Sequence, residues 1–345
     1  MSVGLPLTQP RLPRWAPYLV GVVVVAGAGF PALLAGWSWE AWLLSALLLF
    51  LILLPLWSAV VENRRAAVDR LVTSLVWSAA AVATAPLAWL LWVVIDKGLP
   101  SINGQFLTIS MYNVVGDEQG GLYHALIGTL FITLAAAVIS VPIGVMCAIY
   151  LVEYGARNKL ARTITFLVDV MTGIPSIVAG LFALSVFVLA FGPAFRAGIG
   201  GSVALSLLMI PTVVRSSEEM FRLVPDELRE ASYALGVPKW RTILRVVLPT
   251  SIGGVITGIV LAISRVVGET APLLVVAGSV DGTNYNLFSG RMTTIPVFIF
   301  EQYGQSTPTG YANAWGGALV LVVVVVVLNL VARIIGRIFA PAKGH

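Results

Sequence analysis

Apolar runs of about 20 residues recur along nearly the whole 345-residue chain, each long enough to carry a helix across the roughly 30 Å hydrocarbon core of a bilayer. Nothing else in the sequence restricts the fold as severely. Backbone groups inside lipid must be satisfied within the protein, so such runs are read as helices. The six valines from Val322 to Val327 suggest a strand by propensity alone, but they lie inside a long apolar segment and are read as membrane helix. Composition agrees: 58% of residues are hydrophobic and 11% charged, against about half and a quarter in soluble proteins. The expected class is an all-α polytopic membrane protein.

Residues 1–16 carry Pro6, Pro10 and Pro13 with Arg11 and Arg14, and are expected to form a disordered cytoplasmic arm. The apolar run Pro17–Leu34 is longer than the core of a cleaved signal peptide. A second run follows it, from Ala41 to Val61, so a retained helical hairpin is predicted, with a cytoplasmic linker completing residues 17–70. Further spans are expected at about 71–95, 122–152, 163–190, 201–222, 246–276 and 314–335, making about eight with the first two.

Lys and Arg placement orients these spans. Arg11, Arg14, Arg64, Arg65, Arg70, Arg157, Lys159, Arg162, Arg333, Arg337 and Lys343 fall on one set of ends, and only Lys97, Arg196 and Arg291 on the other. The positive-inside rule therefore puts both termini in the cytoplasm, in keeping with an even number of spans. Residues 96–121 and 277–313 become long external loops. Their Asn, Gly, Thr, Ser and Tyr content predicts a solvated surface able to dock a partner.

Several functions are excluded. The net charge of +5 is spread in short clusters between spans, which topology explains better than nucleic-acid binding does. A single Cys147 and two histidines, His124 and His345, leave no basis for disulfides or a His-based metal site. The chain has no G-x-x-x-x-G-K-[ST] loop, so ATP, if used, is bound by another chain. It also lacks G-x-S-x-G and H-E-x-x-H, which argues against an intramembrane hydrolase.

One charged stretch of length stands out, Asp226–Pro249, with the sequence DELREASYALGVPKWRTILRVVLP. Pro225 ends the preceding span, Asp226 is the expected cap of a new helix, and Gly236 is the expected left-handed stop. The acidic start and basic exit suit the helix dipole, predicting a helix of about three turns on the cytoplasmic membrane surface. Glu230, Ala231 and Ser232, then Gly236, then Val246, Leu248 and Pro249 resemble the EAA loop of ABC importer permeases. Ser232 replaces the second Ala and Val246 the Ile of that pattern.

Three further segments resemble the phosphate ABC importer permeases of the PstA type: SVPIGVMCAIYLVEYG from Ser140 to Gly155, GIPSIVAGLF from Gly173 to Phe182, and RVVGETAPLL from Arg265 to Leu274. The resemblance is strong over about 122–276 and weaker over the rest of a permease domain of 71–345. It implies a type I ABC importer permease fold whose EAA-loop helix, the coupling helix, meets an ATPase through Glu230, Ala231, Ser232, Gly236, Leu248 and Pro249. It also implies the partners: a second, PstC-like permease subunit, two PstB-like ATPase subunits that hold ATP and Mg, and an extracytoplasmic PstS-like phosphate-binding protein. A permease for another oxyanion, such as sulfate or molybdate, remains an alternative.

Charges inside predicted spans cost on the order of 3 kcal/mol each by insertion scales, so each needs a partner or a water-filled path. Arg265 and Glu269, at i and i+4, are expected to meet on one helix face, either as a neutral structural pair or with Glu269 holding an Arg265 that contacts the anion. Arg215 has Glu218 and Glu219 a turn away and is a second pathway candidate. Pro142, Pro175, Pro211 and Pro272, and the Gly254–Gly258 spacing, are read as packing features of bent, closely set helices.

Overall fold

The structure, a computed structural model, describes residues 11–13, 15–36, 38–114, 118, 120–155 and 158–338. The regular structure among them is entirely helical, and the chain divides into two compact units, Met1–Trp92 and Val93–His345. Most of the expected N-terminal arm lies outside the described residues.

The first unit holds α1 (Ala16–Ala35), α2 (Trp39–Val61) and the first part of α3 (Arg64–Gly98). The first two pack as a hairpin through Val20, Val24 and Ala28 against Ala46 and Leu54. The indole of Trp42 lies over Gly29 and donates to the Val25 carbonyl at 3.1 Å. Just past α2, Glu62 accepts from both Nε and Nη2 of Arg70 at 2.9 Å, from Leu12 N at 2.7 Å and from Ser58 Oγ at 2.5 Å. The Arg70 guanidinium, more than any other contact, lowers the Glu62 pKa to about 2.

In the second unit a 3₁₀ turn (Leu99–Ser101) and α4 (Gly104–Thr108) lead to α5 (Tyr123–Ile149), which ends in a π turn over Tyr150–Tyr154. There follow α6 (Lys159–Thr172), α7 (Ser176–Phe191), α8 (Gly198–Arg222), α9 (Asp226–Ala234) and α10 (Lys239–Thr242). A second π turn (Ile243–Val247) runs into α11 (Leu248–Val267), then α12 (Ala271–Val276), α13 (Ile295–Gly304) and α14 (Pro308–Ile338). Small residues set the helix spacing. A Cβ on Gly144 of α5 would stand 2.7 Å from Val213 of α8, and Cβ atoms on Gly254 and Gly258 of α11 would meet Met220 and Ser216 of α8 at 2.1 and 2.6 Å. The Gly254–Gly258 spacing is thus the close helix approach that the sequence predicts. Ile132, Leu205, Met209, Val213, Val266 and Leu273 make the main core between these helices.

Six helical segments among the described residues are long and apolar enough to cross a membrane, and seven if α6 and α7 count as one bent span. The remaining one of the eight expected is α1, apolar over Ala16–Gly29. Two expected spans are not continuous. The 163–190 run bends by 109° between α6 and α7, and the 246–276 run stops at Val267 before restarting at Ala271. Each break carries a proline, Pro175 or Pro272, at the start of the following helix. Proline has no N–H to continue the ladder, so each takes a cap or first-turn position where that donor is not needed. Pro142 and Pro211 stay inside α5 and α8.

The 277–313 segment also departs from expectation. Instead of an entirely solvated loop, it turns back inward: Met292 through Phe298 are buried, and α13 packs on α14 and α5. Thr129 of α5 accepts from Ile295 N at 2.8 Å, and the Thr293 carbonyl sits where a Cβ on Gly128 would be. Asn313 and Gln302, both buried, bond each other at 3.1 Å. The apolar run IPVFIF within the segment accounts for this, because its burial outweighs the polar average of the surrounding sequence.

Candidate functional site

The charged stretch folds as a helix, a tight turn and a re-entry. Pro225 takes the N-cap position of α9 without a side-chain cap, and Asp226 lies one residue inside, accepting from Arg229 Nη1 at 2.9 Å in place of the expected capping role. The helix ends at Ala234 because Gly236 adopts φ +74°. Gly236 N then bonds the Tyr233 carbonyl at 2.9 Å and Val237 N the Ser232 carbonyl at 3.2 Å, the paired bonds of a Schellman motif. Ser232 is buried and its hydroxyl meets that of Thr242 at 2.8 Å, locking α9 to the end of α10. Leu248 is half-buried and Pro249 lies in the first turn of α11.

Facing away from the helices, α9 and its turn expose Leu228, Glu230, Ala231, Tyr233 and Leu235, with Trp240 beyond; Leu235 is 83% exposed. This is an apolar surface with an acidic edge, set outside the main core. Glu230, one of the residues the resemblance assigns to the ATPase contact, is exposed.

The residue that anchors α9 is Arg229, which nothing in the local sequence marks. It is buried, and its guanidinium donates to Glu153 Oε1 at 3.0 Å and to the carbonyls of Val224 at 2.6 Å and Phe221 at 2.8 Å, besides Asp226. Lys239 donates to the Glu153 carbonyl and lies 5.0 Å over the Tyr154 ring. Partial burial, and then the Glu153 carboxylate, raises the Tyr233 pKa. The one sequence signal was Glu153 itself, a carboxylate at the end of an apolar run that needs a cation if it is buried.

The intramembrane charges are arranged differently from expectation. Arg265 and Glu269 form no ion pair among the described residues, because α11 ends at Val267 with Gly268 as its cap and the i, i+4 register is lost. Arg265 is exposed and touches Thr212 Oγ1 of α8 at 3.4 Å; Glu269 is half-buried. Arg215 pairs with Glu218 at 2.8 Å and with Asp169 of α6 rather than with Glu219, and Glu218 also receives Arg222 at 2.6 Å. Arg215 thereby ties α6 to α8. Arg265, by contrast, forms no ion pair among the described residues and its side chain reaches only the Thr212 hydroxyl.

Residues 140–345 match the family described as binding-protein-dependent transport system inner membrane component. This chain belongs to that family. The permease is 46% identical over 274 residues to phosphate transport system permease protein PstA 1 of Mycobacterium tuberculosis, covering 79% of this chain and 88% of that protein. It is 44% identical to PstA of Mycobacterium leprae over 78% of this chain and 89% of the relative, and 40% identical to PstA of Yersinia pestis over 74% and 86%. Its fold matches a chain of the inward-facing MetNI methionine ABC transporter with a TM-score of 0.50 at 21% identity, covering 64% of this chain and 94% of that one. The fold is therefore that of a type I ABC importer permease.

Proposed function

We infer that this chain is the membrane permease subunit of an ATP-driven phosphate importer and itself catalyses no reaction. The observation that carries the reading is α9, a short amphipathic helix held by buried bonds on its inner side and apolar on its outer side, in a chain whose relatives bear the name phosphate transport permease. The outer face, with Glu230 and Ala231 at its edge and the Gly236 turn beyond, is the seat for an ATPase subunit, two of which hold ATP and Mg in the complex. A second, PstC-like permease supplies the opposite wall of the pathway, and a PstS-like binding protein delivers phosphate to the outer face.

Arg265 is the anion contact on this side. It lies near the end of α11, exposed, with a neutral hydroxyl beside it and, among the described residues, no carboxylate in ion-pair reach. A planar guanidinium offers phosphate two parallel donors, which an ammonium cannot do. Arg215, neutralised by Asp169 and Glu218, is the structural member of the pair.

Uptake of labelled phosphate by the complete complex in proteoliposomes tests the reading, with sulfate and molybdate as competitors. Arg265→Gln is expected to abolish uptake while ATPase association persists, and Arg265→Lys to retain little activity. Full uptake by Arg265→Gln would remove Arg265 from the pathway, and preferential transport of sulfate would replace phosphate as the solute.

A further inference from the structure

α9 is adjacent in sequence to α8 and α10, yet one of its buried bonds, from Arg229 to Glu153, runs to a third element. We propose that Arg229 is a positioning residue that hands motion of the coupling helix to α5, and that α5 carries it to the inward-turned segment at the other face of the permease. The inference rests on the coupling role given to α9 above.

Three observations support it. First, Glu153 of the π turn is gripped on two sides, its carboxylate by Arg229 and its backbone carbonyl by Lys239, whose ammonium also covers Tyr154. The residues before and after the Gly236 turn are thus both fastened to the end of one helix. Second, α5 and its π turn form one segment from Tyr123 to Tyr154. At 1.5 Å per residue, Glu153 and Thr129 stand about 36 Å apart along it. Third, α5 touches the inward-turned segment at that far end, where Thr129 accepts from Ile295 N and Gly128 admits the Thr293 carbonyl. A chain of buried contacts therefore joins Arg229, Glu153, α5, Thr129 and Ile295. The π turn supplies the compliance: its looser winding rotates the end of α5 without unfolding it.

The geometry separates this route from simple anchoring. Anchoring requires only that α9 stay on the protein, which the Val224 and Phe221 carbonyls already favour through Arg229. Transmission requires the directional bond to Glu153. Removing one member of a buried pair leaves an uncompensated charge, whereas replacing both with apolar side chains of similar volume generally preserves the fold.

The test uses the complete complex with its ATPase in proteoliposomes. It reads three quantities: ATPase retention, phosphate moved per ATP hydrolysed, and the ATP-dependent signal of a fluorophore on Phe288→Cys in a Cys147→Ser background. Phe288 is exposed in the loop leading to the inward-turned segment. Glu153→Gln and the double variant Glu153→Met with Arg229→Met are expected to retain the ATPase, to lose about tenfold in phosphate moved per ATP, and to lose the ATP-dependent signal. If the double variant keeps the ATPase and transports per ATP like the parent, the Arg229–Glu153 bond transmits nothing and the inference fails. Leu235→Asp, on the exposed face, checks the underlying reading separately. Retention of the ATPase by that variant would overturn the docking role of α9, whatever Glu153 does.

Discussion

Gly236 shows how a single residue sets the geometry of the turn that ends α9. Its φ of +74° closes the Schellman bonds, and no atom lies within 4 Å of where a Cβ would stand, so the cost of any side chain there is purely conformational. Gly236→Val is expected to lose about 1–2 kcal/mol locally and to weaken ATPase co-purification, whereas Gly236→Asn, tolerant of the left-handed region, is expected to retain most of it. Equal retention by the two variants would show that the turn does not aim the helix. This residue was legible in the sequence because glycine after a helical run carries its own conformational signal. Arg229 was not: its partner Glu153 lies 76 positions away, and no local pattern connects them. Arg265 and Glu269 mislead in the opposite sense. Their spacing is that of a helical pair, but the helix ends between them, and local spacing cannot report that.

At the scale of elements, hydropathy located the spans, and proline decided where they break. Pro175 and Pro272 begin helices, while Pro142 and Pro211 ride inside them, so the residue type marks candidates and tertiary packing chooses among them. Packing is visible at the break before α12, where a Cβ on Gly180 of α7 would lie 2.6 Å from the Pro272 Cα. The inward turn of Met292–Phe298 was hidden for a related reason: its apolar run is too short to read as a span and is surrounded by polar loop sequence. Its seat depends on Gly128, whose missing Cβ leaves room for the Thr293 carbonyl. Gly128→Val is expected to force the segment outward at a cost of about 1–3 kcal/mol, read as a lower unfolding temperature and faster proteolysis within 277–294. Unchanged stability and protease resistance would mean that α5 does not hold this segment.

Across the whole chain, the buried contacts constrain how the spans cross the membrane, which hydropathy alone left open at the α6–α7 bend. Glu153 at the end of α5 bonds Arg229 of α9, so residues 153 and 229 lie on one side. An even number of crossings must separate them, and α8 is one, so α6 and α7 together make one more despite the 109° bend. The continuous helical run from Lys239 to Val267 has 29 residues, about 44 Å, and takes the chain from the α9 side to the opposite face, where the loop containing Tyr285 begins. Basic residues on the α9 side then propose that side as cytoplasmic and the Tyr285 loop as external. In a Cys147→Ser background, Tyr285→Cys and Ser38→Cys are expected to react with a membrane-impermeant thiol reagent in intact cells, and Leu235→Cys only after permeabilisation. All three positions are exposed in the fold, so protection reports the membrane rather than burial. Labelling of Leu235→Cys in intact cells would invert the permease. Protection of Ser38→Cys alongside labelled Tyr285→Cys would overturn the retained N-terminal hairpin and leave the orientation of the second unit intact.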